Sequence, residues 1–153
     1  MNVLRLTLAG VAFLLAGLAA TSLAHEGATG VVKERMDAMV SMEKLTKAIN
    51  DRIKANRDLA AVKPDAEALQ KLAAGILPLF PAGSNAHPSA AKDAIWQNWP
   101  DFEAKERALE TESGKLAATD SKDPKALLTQ FRSVFRVCSD CHETYRATMH
   151  HNQ

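Results

Sequence analysis

The sequence predicts an all-α protein, an antiparallel four-helix bundle, and three observations lead there. The composition is 46% hydrophobic and 24% charged with 7 Gly, 6 Pro and 2 Cys, which excludes collagen-like, mucin-like, disordered and disulfide-dense chains. One compact domain is the expectation for 153 residues. Ala, Leu, Lys and Glu outnumber the β-forming Val, Ile and Tyr, and aromatics make up only 5%, so helices are favoured over a sandwich or barrel. Four segments then repeat apolar residues at intervals of three and four, joined by a short, a long and a short connection, as in a bundle of antiparallel neighbours.

The first segment runs from Val31 to about Asn56. Val32, Met36, Met39, Met42, Leu45, Ile49 and Ile53 form its stripe, with Lys33, Glu34, Asp37, Glu43, Lys44 and Lys47 mostly between them. The second opens at Pro64, suited to a first helical turn, and Asp65 and Glu67 complement its dipole. It turns Leu69, Leu72, Ala73, Ile76 and Leu77 inward before Pro78. Pro78, Pro81, Gly83, Ser84, Asn85, Pro88 and Ser89 crowd the next stretch, a long irregular connection that something else must pack. Ile95, Trp96 and Trp99 follow, read as core anchors at a junction of loop and helix, and a run from about Asp101 to Ala118 directs Phe102, Leu109 and Leu116 inward. Asp123 caps the last helix and Pro124 takes its first position. Leu127, Leu128, Phe131, Val134, Phe135, Cys138, Cys141, His142 and Tyr145 share its broad face before it frays near the C-terminus.

The start of the chain is set apart from this domain. Arg5 precedes an apolar run from Leu6 to about Ala20, and Ser22 and Ala24 put small residues three and one before a cut. Residues 1–24 are therefore expected to be a cleaved signal peptide and residues 25–153 the exported, periplasmic domain, beginning at His25. The run is shorter than the roughly 20 residues a spanning helix needs, so no membrane span is expected after processing. Cleavage leaves 129 residues and takes away Arg5, so 18 Lys and Arg face 18 Asp and Glu. That balance excludes nucleic acid as a partner, since phosphate binding needs a basic surplus.

Chemistry concentrates in Cys138-Ser139-Asp140-Cys141-His142. A C-x-x-C-H run is the signature of c-type haem attachment. On a helix, spacings of three and four send both thiols and the imidazole out on one side, so two thioether bonds can hold the macrocycle while His142 reaches the iron as proximal ligand. A disulfide closing so short a loop would add little stability and leave His142 unexplained, and a thioredoxin-like pair needs strand-helix alternation. Zinc would need a fourth partner, for which only His150 and His151 at the chain end offer themselves.

The opposite face of the iron decides function. Met149 lies seven residues past His142 on the same helix and cannot reach it. Met36, Met39 and Met42 in the first helix can, with Met39 the central candidate, although flexible thioethers also fill cores. Histidine-methionine ligation raises the potential and favours electron transfer over gas capture.

The chain resembles the class II c-type cytochromes, the cytochrome c-prime family with its low-spin histidine-methionine members. The likeness rests on residues 138–146 (CSDCHETYR), on residues 33–39 (KERMDAM), and on Ala94-Ile95-Trp96 with Phe102. It implies a four-helix bundle carrying one covalent haem c per chain on its C-terminal helix, proximal His142, and Met39 over the distal face. It also implies Arg35 beside a haem propionate, Arg146 flanking the proximal side, and a homodimer through the first two helices. A guanidinium one turn before Met39 could pair a propionate through two parallel hydrogen bonds, the alternative being a solvated helix face.

Two functions follow. One is a one-electron carrier, not an enzyme, whose partners are redox proteins that donate and accept electrons. The other is a five-coordinate cytochrome c-prime that binds a small diatomic gas, nitric oxide or carbon monoxide. A peroxidase has no support, since His87 lies in the Pro-rich stretch, and a copper site at His25 would rest on a single side chain.

Overall fold

A computed structural model describes residues 27–148. The signal segment, His25, Met149, His150 and His151 lie outside the described residues. Among the described residues the helices are α1 (Gly30–Ala55), α2 (Val62–Ala74), the short α3 (Ala94–Gln97), α4 (Trp99–Ala118) and α5 (Pro124–Tyr145). The long four are the expected bundle. α2 packs most extensively on α4, α4 on α5 and α1 on α2, while α1 meets α5 over a shorter stretch.

Local chemistry sets the boundaries. α1 stops where Asn56 turns left-handed at φ 46°, a conformation asparagine tolerates, and Arg52 and Lys54 stand in its last turn. α2 begins two residues before the expected Pro64, because a proline in the first turn removes an N–H that has no helical acceptor anyway. The same reason lets α4 begin at Trp99, with Pro100 second. Asp123 caps α5, its carboxylate accepting from Lys125 N at 3.1 Å and Ala126 N at 2.9 Å.

Ile49, Ile53, Val62, Leu69, Ile95, Phe102, Leu116, Leu127, Phe131 and Val134 form the centre of one continuous core. α2 and α4 approach closely at Gly114, where a Cβ would meet the Gln70 side chain at 2.7 Å. Two expectations change. Phe135 is 58% exposed and does not join the core, because α5 turns Leu127, Phe131 and Val134 inward and Phe135 lies past the edge of that stripe. The C-terminal turn of α5 is fastened as far as Ala147: Ala91 and Arg146 form a β-bridge, Ala147 N donates to Ala90 O at 2.8 Å, and Lys92 N donates to Tyr145 O at 3.0 Å.

The tryptophans act as anchors, as expected. Both are partly buried against the core, and Trp96 Nε1 donates to Phe80 O at 3.0 Å, tying the long connection to α3.

Asp123→Ala should lower stability by about 1 kcal/mol, with Asp123→Asn close to wild type. The midpoint of denaturant unfolding of the holoprotein measures both.

Candidate haem site

Helix α5 carries Cys138, Cys141 and His142 in continuous helical backbone ending three residues beyond the histidine. Both cysteines are free thiols and half-buried, so no disulfide joins them. Burial raises the Cys138 pKa, and burial with the neighbouring Cys138 pushes Cys141 up to about 11. They are therefore neutral thiols near pH 7, available for thioether bonds. His142 is exposed at the flank of the helix, and desolvation followed by the charge of Arg146 lowers its pKa. The imidazole is thus held in the neutral, ligating form.

Tyr145 locks the helix just below these groups. Its hydroxyl donates to Asp101 Oδ2 at 2.6 Å, and its ring meets Phe102 edge-on at 5.3 Å. Phe102 meets Phe80 at 4.8 Å, and the Arg35 guanidinium lies 4.5 Å over the Phe80 ring. Contacts between side chains thus run from α5 through α4 and the long connection to α1.

Arg35 is buried, which removes the solvated-face reading. Nη1 donates to Leu79 O at 2.9 Å and Ser84 Oγ at 3.0 Å, and Nη2 to Ser84 O and Ser89 Oγ, each at 2.6 Å. All four acceptors are neutral oxygens, and desolvation lowers the arginine's pKa. A buried cation without a carboxylate among its acceptors is an environment that an anionic group would stabilise. The four bonds leave Nε as the remaining donor of the fork, so the expected pair of parallel bonds to a propionate would compete with the connection for Nη. Arg146 is exposed and its field reaches His142.

The three methionines differ. Met42 is 7% exposed and belongs to the core; Met39 is half-buried and packs on the core margin, as Cys141 does; Met36 is half-buried without being part of that packing. The free thiols, neutral imidazole and acid-free buried guanidinium form a donor set that suits a covalently held porphyrin with anionic substituents.

One buried group was not foreseen. Glu106 on α4 is 6% exposed and its Oε1 has no hydrogen-bond partner. The spacing of Phe102, Glu106 and Leu109 would have put it on the inward face.

The comparisons agree with this geometry. A family model described as Cytochrome C' matches residues 30–146, and the chain belongs to the cytochrome c' family. It is a class II c-type cytochrome with haem c covalently attached. It is 36% identical over 89 residues to a cytochrome c-556 of Agrobacterium fabrum, across 58% of this chain and 60% of that one. With a cytochrome c-554 of Cereibacter sphaeroides it shares 39% over 82 residues, 51% of this chain and 54% of the relative. The matched stretch thus spans less than two thirds of either relative. The cytochrome c' of Thermochromatium tepidum superposes with a TM-score of 0.72 at 24% identity, over 77% of this chain and 95% of that one. A nitric oxide complex of a single-residue variant of Alcaligenes xylosoxidans cytochrome c prime gives 0.69 at 28% identity, over 77% and 94%.

Replacing Cys138 and Cys141 together by alanine should abolish haem that survives acidified organic solvent, read from the absorbance left on the protein. Arg35→Ala strands Leu79 O and Ser84 O and should cost about 2–4 kcal/mol, measured by denaturant unfolding of the holoprotein.

Proposed function

We propose that the protein is a periplasmic one-electron carrier in which His142 is the proximal and Met39 the distal iron ligand. The observation that carries this reading is the sorting of the first-helix methionines. Met42 is committed to the core, Met36 lies off it, and Met39, one turn beyond Arg35, is half-buried at the core's edge with its thioether not committed to the interior. The bound haem supplies iron that exchanges one electron without making or breaking substrate bonds. His142, kept neutral, offers a lone pair; Met39 offers a thioether that fills the sixth position and raises the potential. Arg35 faces a propionate with its uncompensated charge, and Arg146 flanks the proximal ligand. Partners are redox proteins that donate and accept electrons.

Export rests on the segment before His25. Among the described residues no helix is long and apolar enough to cross a membrane.

A second reading is a five-coordinate haem that takes up nitric oxide or carbon monoxide, favoured by the likeness to a protein solved as its nitric oxide complex. A homodimer through α1 and α2 fits either reading and is measured by sedimentation.

Visible spectra separate the two. Low-spin bands in both redox states are expected for the carrier, and Met39→Ala should convert them to high-spin. A wild-type ferrous form that is high-spin and binds carbon monoxide readily would overturn methionine ligation.

A further inference from the structure

The inward face of α4 is apolar except at Glu106 and Ser113, both buried and each with an oxygen that has no partner. Of these only Glu106 can carry charge. It stands one turn after Phe102, whose ring meets Tyr145 of α5 at 5.3 Å. Cys141, a residue through which the macrocycle would be bonded, stands one turn before Tyr145, so Glu106 and Cys141 lie one turn along each helix from the same contact. Next to burial, the Glu106 charge raises the Cys141 pKa. Its own helix surrounds it with Glu103, Arg107 and Glu110. On α5 the titratable group its charge acts on is Cys141, which becomes an uncharged thioether in the holoprotein; Asp101 and Lys105 of α4 act there too. The buried residues of α1, α2 and α3 are apolar except Arg35, which the long connection engages.

We propose that Glu106 is a redox-linked proton site, binding one proton when the haem iron is reduced and releasing it when the iron is oxidised. The step balances. A reduced electron-transfer protein gives one electron to ferric iron, giving ferrous iron, and the Glu106 carboxylate takes one proton from water; oxidation by an acceptor returns both. The electron makes the interior more negative, which disfavours a second negative charge at Glu106 and favours its neutral form. Linkage then requires that protonation of Glu106 raise the electron affinity by the same factor.

Position gives this consequence, because a buried carboxylate with one oxygen unpartnered has little to screen it in a low-dielectric core. Burial first, and the Glu110 charge next, raise its pKa to about 7, so both protonation states are populated near neutral pH. The proposal rests on the haem cycling between ferric and ferrous states, as in the reading above, and not on which residue is the distal ligand.

Optical redox titration of the wild-type holoprotein and Glu106→Gln, from about two units below to two units above pH 7, tests it. The wild-type potential should fall as pH rises through this range, with proton affinities of the two redox states differing on the order of tenfold. Glu106→Gln should lose that fall and stay near the value of the protonated wild type. The same pH dependence in wild type and variant overturns the proposal, whereas absence of any reversible one-electron couple overturns the carrier reading instead. If the variant does not retain haem, NMR of wild-type holoprotein carrying 13C-carboxyl glutamate reads the same quantity. A glutamate that titrates near neutrality in the ferrous form and lower in the ferric form supports the site; ordinary titration of every glutamate in both forms overturns it.

Discussion

Everything at the haem site depends on α5 remaining helical through His142. Two thiols and an imidazole can serve one macrocycle, as proposed, only while the spacings of three and four keep them on one side. Yet they occupy the last two turns, where carbonyls lack helical partners and helices open most readily. The protein answers with contacts from far along the chain. Lys92 Nζ donates to Glu143 O and Thr144 O, both at 3.2 Å, so a cation meets the negative end of the helix. The bridge between Ala91 and Arg146 holds the exit, and Tyr145 is fixed by Asp101 from α4.

The long connection can hold α5 because it is itself held. Arg35 draws Leu79, Ser84 and Ser89 together, and Trp96 binds the Phe80 carbonyl. One buried guanidinium therefore has two duties in the reading proposed above: it orders a loop that would otherwise be irregular, and it would carry positive charge to the first-helix side of the site. Those duties compete for the same N–H groups, which makes arginine and lysine inequivalent here; a lysine could supply the charge but not the fork.

Much of this was legible locally. Asp123-Pro124 marks a helix start in two adjacent residues, Met39 and Met42 mark the inward side of α1 although Met36 of the same stripe lies off it, and the C-x-x-C-H run names its own chemistry. What escaped the sequence depended on distant partners. Arg35 reads as a surface cation until residues 44 to 54 positions later are seen to surround it. Phe135 fits the apolar stripe of α5 by period, but period does not say how wide a face the neighbouring helices cover. Glu106 fits the inward spacing of α4, yet its charge argues for solvent, and periodicity alone does not decide which signal prevails.

Arg35 and Glu106 make the interior electrostatically asymmetric. The arginine bonds only to neutral oxygens, so its charge is not cancelled by those contacts; the carboxyl has a buried oxygen with no hydrogen-bond partner. Neither arrangement is favoured by folding alone, since burying an uncompensated ion costs free energy that an apolar side chain would not. In the reading proposed above an anionic macrocycle would change that balance: its propionates would compensate the arginine, and an iron cycling between two charges would be followed by the carboxyl. The groups least favourable to the polypeptide by itself are thus those through which, on that reading, it would regulate the electron affinity of what it carries.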